Sequence, residues 1–123
     1  MVGRSDAALT GSSGYFNQTG GTAVIGTLTI AGGSGTGNLG NLNLTGGTFV
    51  ATSFVALASA AGSSATITLG GTAQATLPAF PSTRGAGSTA TLIFNGGTDS
   101  VKISIPKTAA TNGKLFGLLK VVR

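Results

Sequence analysis

The tripeptide Gly-Gly-Thr occurs four times in this chain, at Gly20-Gly21-Thr22, Gly46-Gly47-Thr48, Gly70-Gly71-Thr72 and Gly96-Gly97-Thr98, with start-to-start spacings of 26, 24 and 26 residues. A recurrence of about 25 residues marks one supersecondary unit stacked on copies of itself. The unit must therefore be read before any single residue. Aligned on the glycine pair, the preceding segments are Phe16-Asn17-Gln18-Thr19, Leu42-Asn43-Leu44-Thr45, Ile67-Thr68-Leu69 and Leu92-Ile93-Phe94-Asn95, the third being one residue shorter. Each alternates with the period of two of a strand. The expected core column is Phe16, Leu42, Leu44, Ile67, Leu69, Leu92 and Phe94, with Gln18 also inward, while Asn41, Asn43, Thr66 and Thr68 point outward.

After each tripeptide comes a second apolar stretch, Val24 to Ile30, Phe49 to Leu57, Gln74 to Phe80 and Val101 to Ile105, rich in β-branched, aromatic and small residues. These also read as strands. Small residues close the unit at Gly32 to Gly37, Ala60 to Ser64, Gly85 to Ser88 and Asn112-Gly113. Each unit is thus expected to run strand, glycine corner, strand, small-residue corner. A helical reading fails on composition, because each of the 22 glycines would cost about 1 kcal/mol relative to alanine in a helix interior.

Two short strands leave one side of their leucines and phenylalanines in water, and stacking the units removes that exposure. The expected fold is all-β, a parallel β-solenoid (right-handed β-helix) of about four to five coils, with its handedness taken from the preference of parallel crossovers. At a rise of ~4.8 Å the stack is on the order of 20 to 25 Å tall. An antiparallel meander or sandwich also uses short strands and glycine corners. Recurrence of the same chemistry at the same phase favours the solenoid. The expected organisation is a leader or partial cap coil over 1–13, solenoid repeats over 14–105, and a basic C-terminal cap or the start of a further coil over 106–123.

Between Asp6 and Arg84 the sequence has no Asp, Glu, Lys, Arg or His, and five of the seven basic residues are Lys102, Lys107, Lys114, Lys120 and Arg123. Charged residues make up 7% of the chain, against about a quarter in an ordinary soluble domain. The outer face of the repeats is therefore expected to consist of hydroxyls, amides and backbone, which do little to repel a neighbouring copy. The ends of such a stack are open sheet edges unless capped. The absence of cysteine excludes disulfides and thiol chemistry, and Met1 to Ala8 carries no apolar run of the kind a signal peptide needs. No run of 18 apolar residues that could span a membrane as a helix is present. The chain reads as a segment of a longer protein.

The phrase Gly14-Tyr15-Phe16-Asn17-Gln18-Thr19-Gly20-Gly21-Thr22, followed by Gly26-Thr27-Leu28-Thr29-Ile30 and Leu42-Asn43-Leu44-Thr45-Gly46-Gly47-Thr48, resembles autotransporter-associated β-strand repeats. These also occur in bacterial surface proteins with a PEP-CTERM sorting tail. The resemblance covers residues 14 to 98. It implies a right-handed β-helix displayed outside the bacterial cell, secreted or on the cell surface, although neither a translocating barrel nor a sorting tail accompanies it.

Catalysis has little to draw on. With no histidine or cysteine, neither a Ser-His-Asp nor a Cys-His arrangement can be assembled, and the common nitrogen and sulfur metal ligands are missing. The only carboxylates are Asp6 and Asp99, so a glycosidase pair would require the leader to fold back across several coils. Gly32-Gly33-Ser34-Gly35-Thr36-Gly37 lacks the Gly-Lys-Ser/Thr of a phosphate loop. Calcium-binding nonapeptide coils need aspartates that the Gly-Gly-Thr corners do not supply. No enzyme, cofactor or metal is expected.

Three kinds of role remain. The first is a structural module of a bacterial extracellular or cell-surface protein, self-associating through coil ends or neutral flanks into a fibre, sheath or matrix. The second is the passenger or stalk of an adhesin that binds a glycan or host ligand, with Tyr15 as the one well-placed outer aromatic. A minor third is an ice-binding solenoid, suggested by Thr27-Leu28-Thr29 and Thr66-Ile67-Thr68. The basic residues Lys102, Lys107, Lys114, Lys120 and Arg123 are possible anion contacts or a solubilising cap. No nucleic-acid motif accompanies them, and no nucleic-acid partner is expected.

Overall fold

The computed structural model describes residues 11–95, 100–103 and 120–122. Within them the chain is all-β, without a helix, and its parallel sheets stack as a β-solenoid of about three turns. The first turn holds β1 (Ser13–Gln18), β2 (Thr22–Ile25) and β3 (Leu28–Ile30). The second holds β4 (Leu39–Leu44), β5 (Thr48–Ala51) and β6 (Phe54–Leu57). Then follow β7 (Ser64–Gly70), β8 (Gln74–Leu77), β9 (Thr89–Asn95), β10 (Ser100–Ile103) and β11 (Lys120–Val122).

The strands sort into three sheets, ordered β1-β4-β7-β9-β11, β10-β8-β5-β2 and β3-β6. Every pairing is parallel, which decides against the antiparallel meander or sandwich. A parallel neighbour can be reached only by a long crossover. Here the other sides of each turn supply it. Register is strict along the first sheet, where Tyr15, Asn41, Thr66 and Thr91 stand opposite one another, as do Phe16, Leu42, Ile67 and Leu92.

Two features differ from the sequence expectation. First, the stretches 24–30 and 49–57 are each two strands rather than one, broken at Gly26-Thr27 and at Thr52-Ser53. Inward positions fall at Ile25 and Leu28, and at Ala51 and Phe54, a gap of three that no single strand can bridge with both side chains inward. The corner is stitched between turns. Thr52 donates its N–H to the Ile25 carbonyl at 2.9 Å and its hydroxyl to the Gly26 carbonyl at 2.8 Å, while Leu28 N–H donates to the Ser53 carbonyl at 2.8 Å. Second, Gly70-Gly71-Thr72 is out of phase with its predecessors. Thr48 stands opposite Gln74, not Thr72, and Gly70 stays in β7 opposite Asn95. The preceding strand is not shortened, since Ile67, Thr68 and Leu69 pair one for one with Leu42, Asn43 and Leu44. The corner has instead become a turn closed by Ala73 N–H donating to the Gly70 carbonyl at 3.2 Å.

Inside, the first sheet stacks large on large, Phe16, Leu42, Ile67 and Leu92 in one column, whereas the second alternates small and large, and both fill layers of fixed height. Phe49 lies between Ala23 and Ala75 and meets Phe16 edge to face, with ring centroids 5.8 Å apart. Leu42, Leu44, Ile67, Leu69, Leu77 and Leu92 are buried, each contributing roughly 1.5–3 kcal/mol of transfer free energy. Beyond β8 the third side is a loop over 78–88, where Phe80 continues the column by packing on Phe54 with ring centroids 5.1 Å apart. In the third sheet a bulge between Leu28 and Thr29 pushes Val55 out to solvent.

Candidate functional site

The candidate site is the outer surface of the stack. On the first sheet it carries two ranks, Tyr15, Asn41, Thr66, Thr91 and Asn17, Asn43, Thr68, Ile93. On the second sheet the ranks are Thr22, Thr48, Gln74 and Val24, Val50, Thr76. Spacing along each rank is set by the parallel ladder, ~4.8 Å per strand. Amides and hydroxyls at that spacing can bond to one another or to an uncharged ligand. Among the described residues the exposed large apolar side chains are Tyr15, Val24 and Val55.

Arg84 is the one charged residue between positions 11 and 95. It is half-buried in the loop that replaces a third-side strand, and desolvation pushes its guanidinium below the usual arginine range. Among the described residues no group of three or more His, Cys, Asp or Glu comes together to hold a metal.

The corners explain the glycines. At Gly47, φ is +79° and a Cβ would run into the Gly21 carbonyl oxygen of the turn before, with the Gly20 carbonyl carbon at 2.6 Å. This position therefore needs glycine for both its conformation and its closeness to neighbouring backbone. Thr22 and Thr48 open β2 and β5 directly after the corner, Gly20, Gly21 and Gly46 lie within it, and Gly71 and Thr72 form the third-turn variant. Gly96, Gly97 and Thr98 lie outside the described residues.

Of the column residues, Leu42, Leu44, Ile67, Leu69 and Leu92 are buried, while Phe16 and Phe94 pack against the core partly exposed. Lys102 sits in β10 opposite Thr76, and Lys120 opens β11 opposite Thr91. These two lysines therefore stand on different sheets. Lys107, Lys114 and Arg123 lie outside the described residues. Thr27 falls in a corner and Thr29 in β3, so Thr27-Leu28-Thr29 does not give two outward threonines on one strand.

A second corner ladder escaped the sequence reading. Gly11, Gly37, Gly62 and Gly87 all have positive φ, and each is followed by a small polar residue, Ser12, Asn38, Ser63 or Ser88. The carbonyls of Ser12, Asn38 and Ser63 accept from Leu39, Ser64 and Thr89 at 2.8 Å. Asn38 is buried, donates its side-chain amide to the Gly32 carbonyl at 2.9 Å, and donates its backbone N–H to the Ser63 hydroxyl at 3.0 Å. Gln18 does similar work at the other corner, donating from Nε2 to the carbonyls of Gly20 at 3.2 Å, Gly21 at 3.1 Å and Thr48 at 3.1 Å. The sequence signal for the missed ladder was a Gly-Ser/Asn dipeptide recurring in phase with the strands.

Comparison with protein-family models, curated proteins and solved structures returned no match for this chain. Among the described residues no helix is long and apolar enough to cross a membrane.

Proposed function

We propose that this chain is a non-catalytic structural module of a bacterial extracellular or cell-surface protein, self-associating into a fibre, sheath or matrix. In this reading it is a right-handed β-helix of four to five coils with a repeat near 25 residues, related to the autotransporter-associated β-strand repeats. The observation that carries the proposal is a stack of parallel strands whose outer ranks, from Ser13 to Asn95, consist of Asn, Thr, Gln, Ser and apolar residues with no charge. Charge is what ordinarily keeps exposed β-structure from associating. A sequence without histidine or cysteine, and with only two carboxylates, supports the non-catalytic part.

The test is electron microscopy of the purified chain across a concentration series. Ordered elongated particles with a cross-β spacing of ~4.8 Å are expected, and discrete short particles at every concentration would overturn the proposal. A second reading, an adhesin stalk that binds uncharged glycan, is favoured by one observation. The Tyr15 side chain is 64% exposed beside the Asn17, Asn41 and Asn43 amides, a ring and hydrogen-bonding groups of the kind sugars stack on. Glycan-array binding abolished by Tyr15→Ala would move the assignment to that reading.

A further inference from the structure

Among the described residues the first turn ends all three sheets, since β1, β2 and β3 each lie at an edge. The direction of the inter-turn hydrogen bonds fixes which backbone groups of that edge face outward. Thr48 N–H donates to the Gly21 carbonyl at 2.8 Å and Gln74 N–H to the Gly47 carbonyl at 2.9 Å, and the Leu39, Ser64 and Thr89 N–H groups likewise donate to the preceding turn at 2.8 Å. The residue that opens each of these strands, and every second residue after it, therefore turns its N–H and C=O toward the turn before. By the same alternation Tyr15 and Asn17 on β1, and Thr22 and Val24 on β2, direct theirs away from β4 and β5. Beneath that edge the column is also less covered. Phe16, Ala23 and Ile25 are only partly buried, whereas their register partners Leu42, Phe49 and Ala51 are buried. At the opposite end β10 and β11 are the edge strands.

We propose that the first-turn edge pairs with a second copy of this chain, β1 of one copy adding in parallel to β11 of the other so that the first sheet continues from copy to copy, while β10, one layer short of β11, leaves β2 unpaired at the junction. The inference rests on the self-association reading above and narrows it from flanks or ends to the ends. Continuity with the pairing already inside the chain carries it. Val121 stands opposite Leu92, and Leu92 opposite Ile67, Leu42 and Phe16 in turn. One further parallel step in the same register sets Phe16 of the second copy opposite Val121. The Asn17 N–H of that copy then donates to the Val121 carbonyl, and the Val121 N–H to its Tyr15 carbonyl. Such an interface is head to tail and does not close, so it builds an open filament.

Two pairs of variants at the same positions separate ends from flanks. Tyr15→Pro and Val24→Pro remove an N–H that makes no bond to the neighbouring turn of the same chain, so edge proline leaves the internal ladder intact. Tyr15→Lys and Val24→Lys keep the backbone and add charge to the outer flank. The unaltered chain and the four variants are compared by electron microscopy and sedimentation, with circular dichroism reporting the fold. The expected result is that Tyr15→Pro raises the concentration needed for filaments by about tenfold or more, the effect of leaving a junction acceptor unpaired, whereas Val24→Pro, on the edge that β10 does not reach, leaves it nearly unchanged. Each lysine is expected to change it by less than about threefold, the scale of screened surface charge.

Filaments unaffected by Tyr15→Pro but abolished by lysine would overturn end-to-end stacking while leaving self-association through the flanks. An unaltered chain that stays monomeric at all concentrations would overturn both. If a proline variant unfolds, the lysine pair still decides, since loss of filaments there contradicts the proposal and their persistence supports it.

Discussion

Gly47→Ala and Gly62→Ala make the same chemical change at two corners of positive φ, yet the structure predicts very different consequences. At Gly62, with φ +64°, the nearest atom an added Cβ would meet is the Gly37 nitrogen at 3.9 Å. Only the left-handed conformation is penalised there, by about 1–2 kcal/mol. At Gly47, with φ +79°, the same methyl meets the Gly21 carbonyl oxygen and the Gly20 carbonyl carbon, atoms that no side-chain rotation can move. Relief requires separating two turns where Thr48 N–H donates to the Gly21 carbonyl at 2.8 Å. Overpacking of this kind typically adds about 1–3 kcal/mol, for a total near 2–5 kcal/mol. The loss of unfolded-state entropy on replacing glycine is common to both variants and cancels in the comparison. Urea denaturation followed by far-UV circular dichroism measures the difference. With a slope of about 1–3 kcal/mol per molar urea, Gly62→Ala should lower the midpoint by roughly 0.3–2 M and Gly47→Ala by about twice as much or more. Equal midpoints, or a milder effect at Gly47, would refute close inter-turn approach as the reason for that glycine.

Further outcomes follow from the same packing. Leu44→Asp, which puts a carboxylate into a column with no charged partner, should destabilise the chain by at least about 4 kcal/mol, whereas Thr68→Asp on the outer rank should leave a folded monomer, both read by denaturant midpoint. Asn38→Ala removes the donor to the buried Gly32 carbonyl and should cost about 1–3 kcal/mol, measured the same way. Stability should change by less than about 1 kcal/mol between pH 5 and 7, because histidine is the side chain that ordinarily changes charge there, and the chain has none. Arg84 adds no acid transition. A base whose folded-state value is lowered is destabilising while charged, and that effect is relieved only as pH rises through the folded value. A midpoint that falls steeply with acid would contradict this.

The phase of the first strand could be read directly from sequence, because Leu42, Leu44, Ile67 and Leu69 alternate with polar residues over a run long enough for period two to register. The three-sided turn was harder to see. Val24 to Ile30 looks like one apolar stretch, and its corner at Gly26-Thr27 shows only as a slip in the inward phase from Ile25 to Leu28. The Gly-Gly-Thr alignment misled at its third copy because the tripeptide is a corner chemistry rather than a register mark. Gly70 extends β7, and the added residue of the turn is absorbed before Gln74. Strand pairing follows the buried columns, which fix register through side-chain alternation. The corners adapt to whatever length remains. The Gly-Ser/Asn ladder was overlooked for a related reason, since Gly11, Gly37, Gly62 and Gly87 sit among other small residues from which local sequence does not separate them.

An outer surface of this kind was also only partly visible beforehand. The outward Asn and Thr ranks of the first sheet follow from alternation, but those of the second sheet depend on register across the altered corner. Val55 is exposed only because a bulge at Leu28/Thr29 displaces it, and no periodicity announces a bulge.

The most direct test of the account is backbone NMR of the monomeric chain, reading inter-strand amide and Hα contacts along the first sheet. Parallel stacking predicts cross-peaks linking residues around Phe16 with Leu42, Leu42 with Ile67, and Ile67 with Leu92, with none of the close Hα–Hα pairs of antiparallel strands. Antiparallel contacts between neighbouring strands, or a register in which Leu42 faces Thr66 or Thr68, would contradict it.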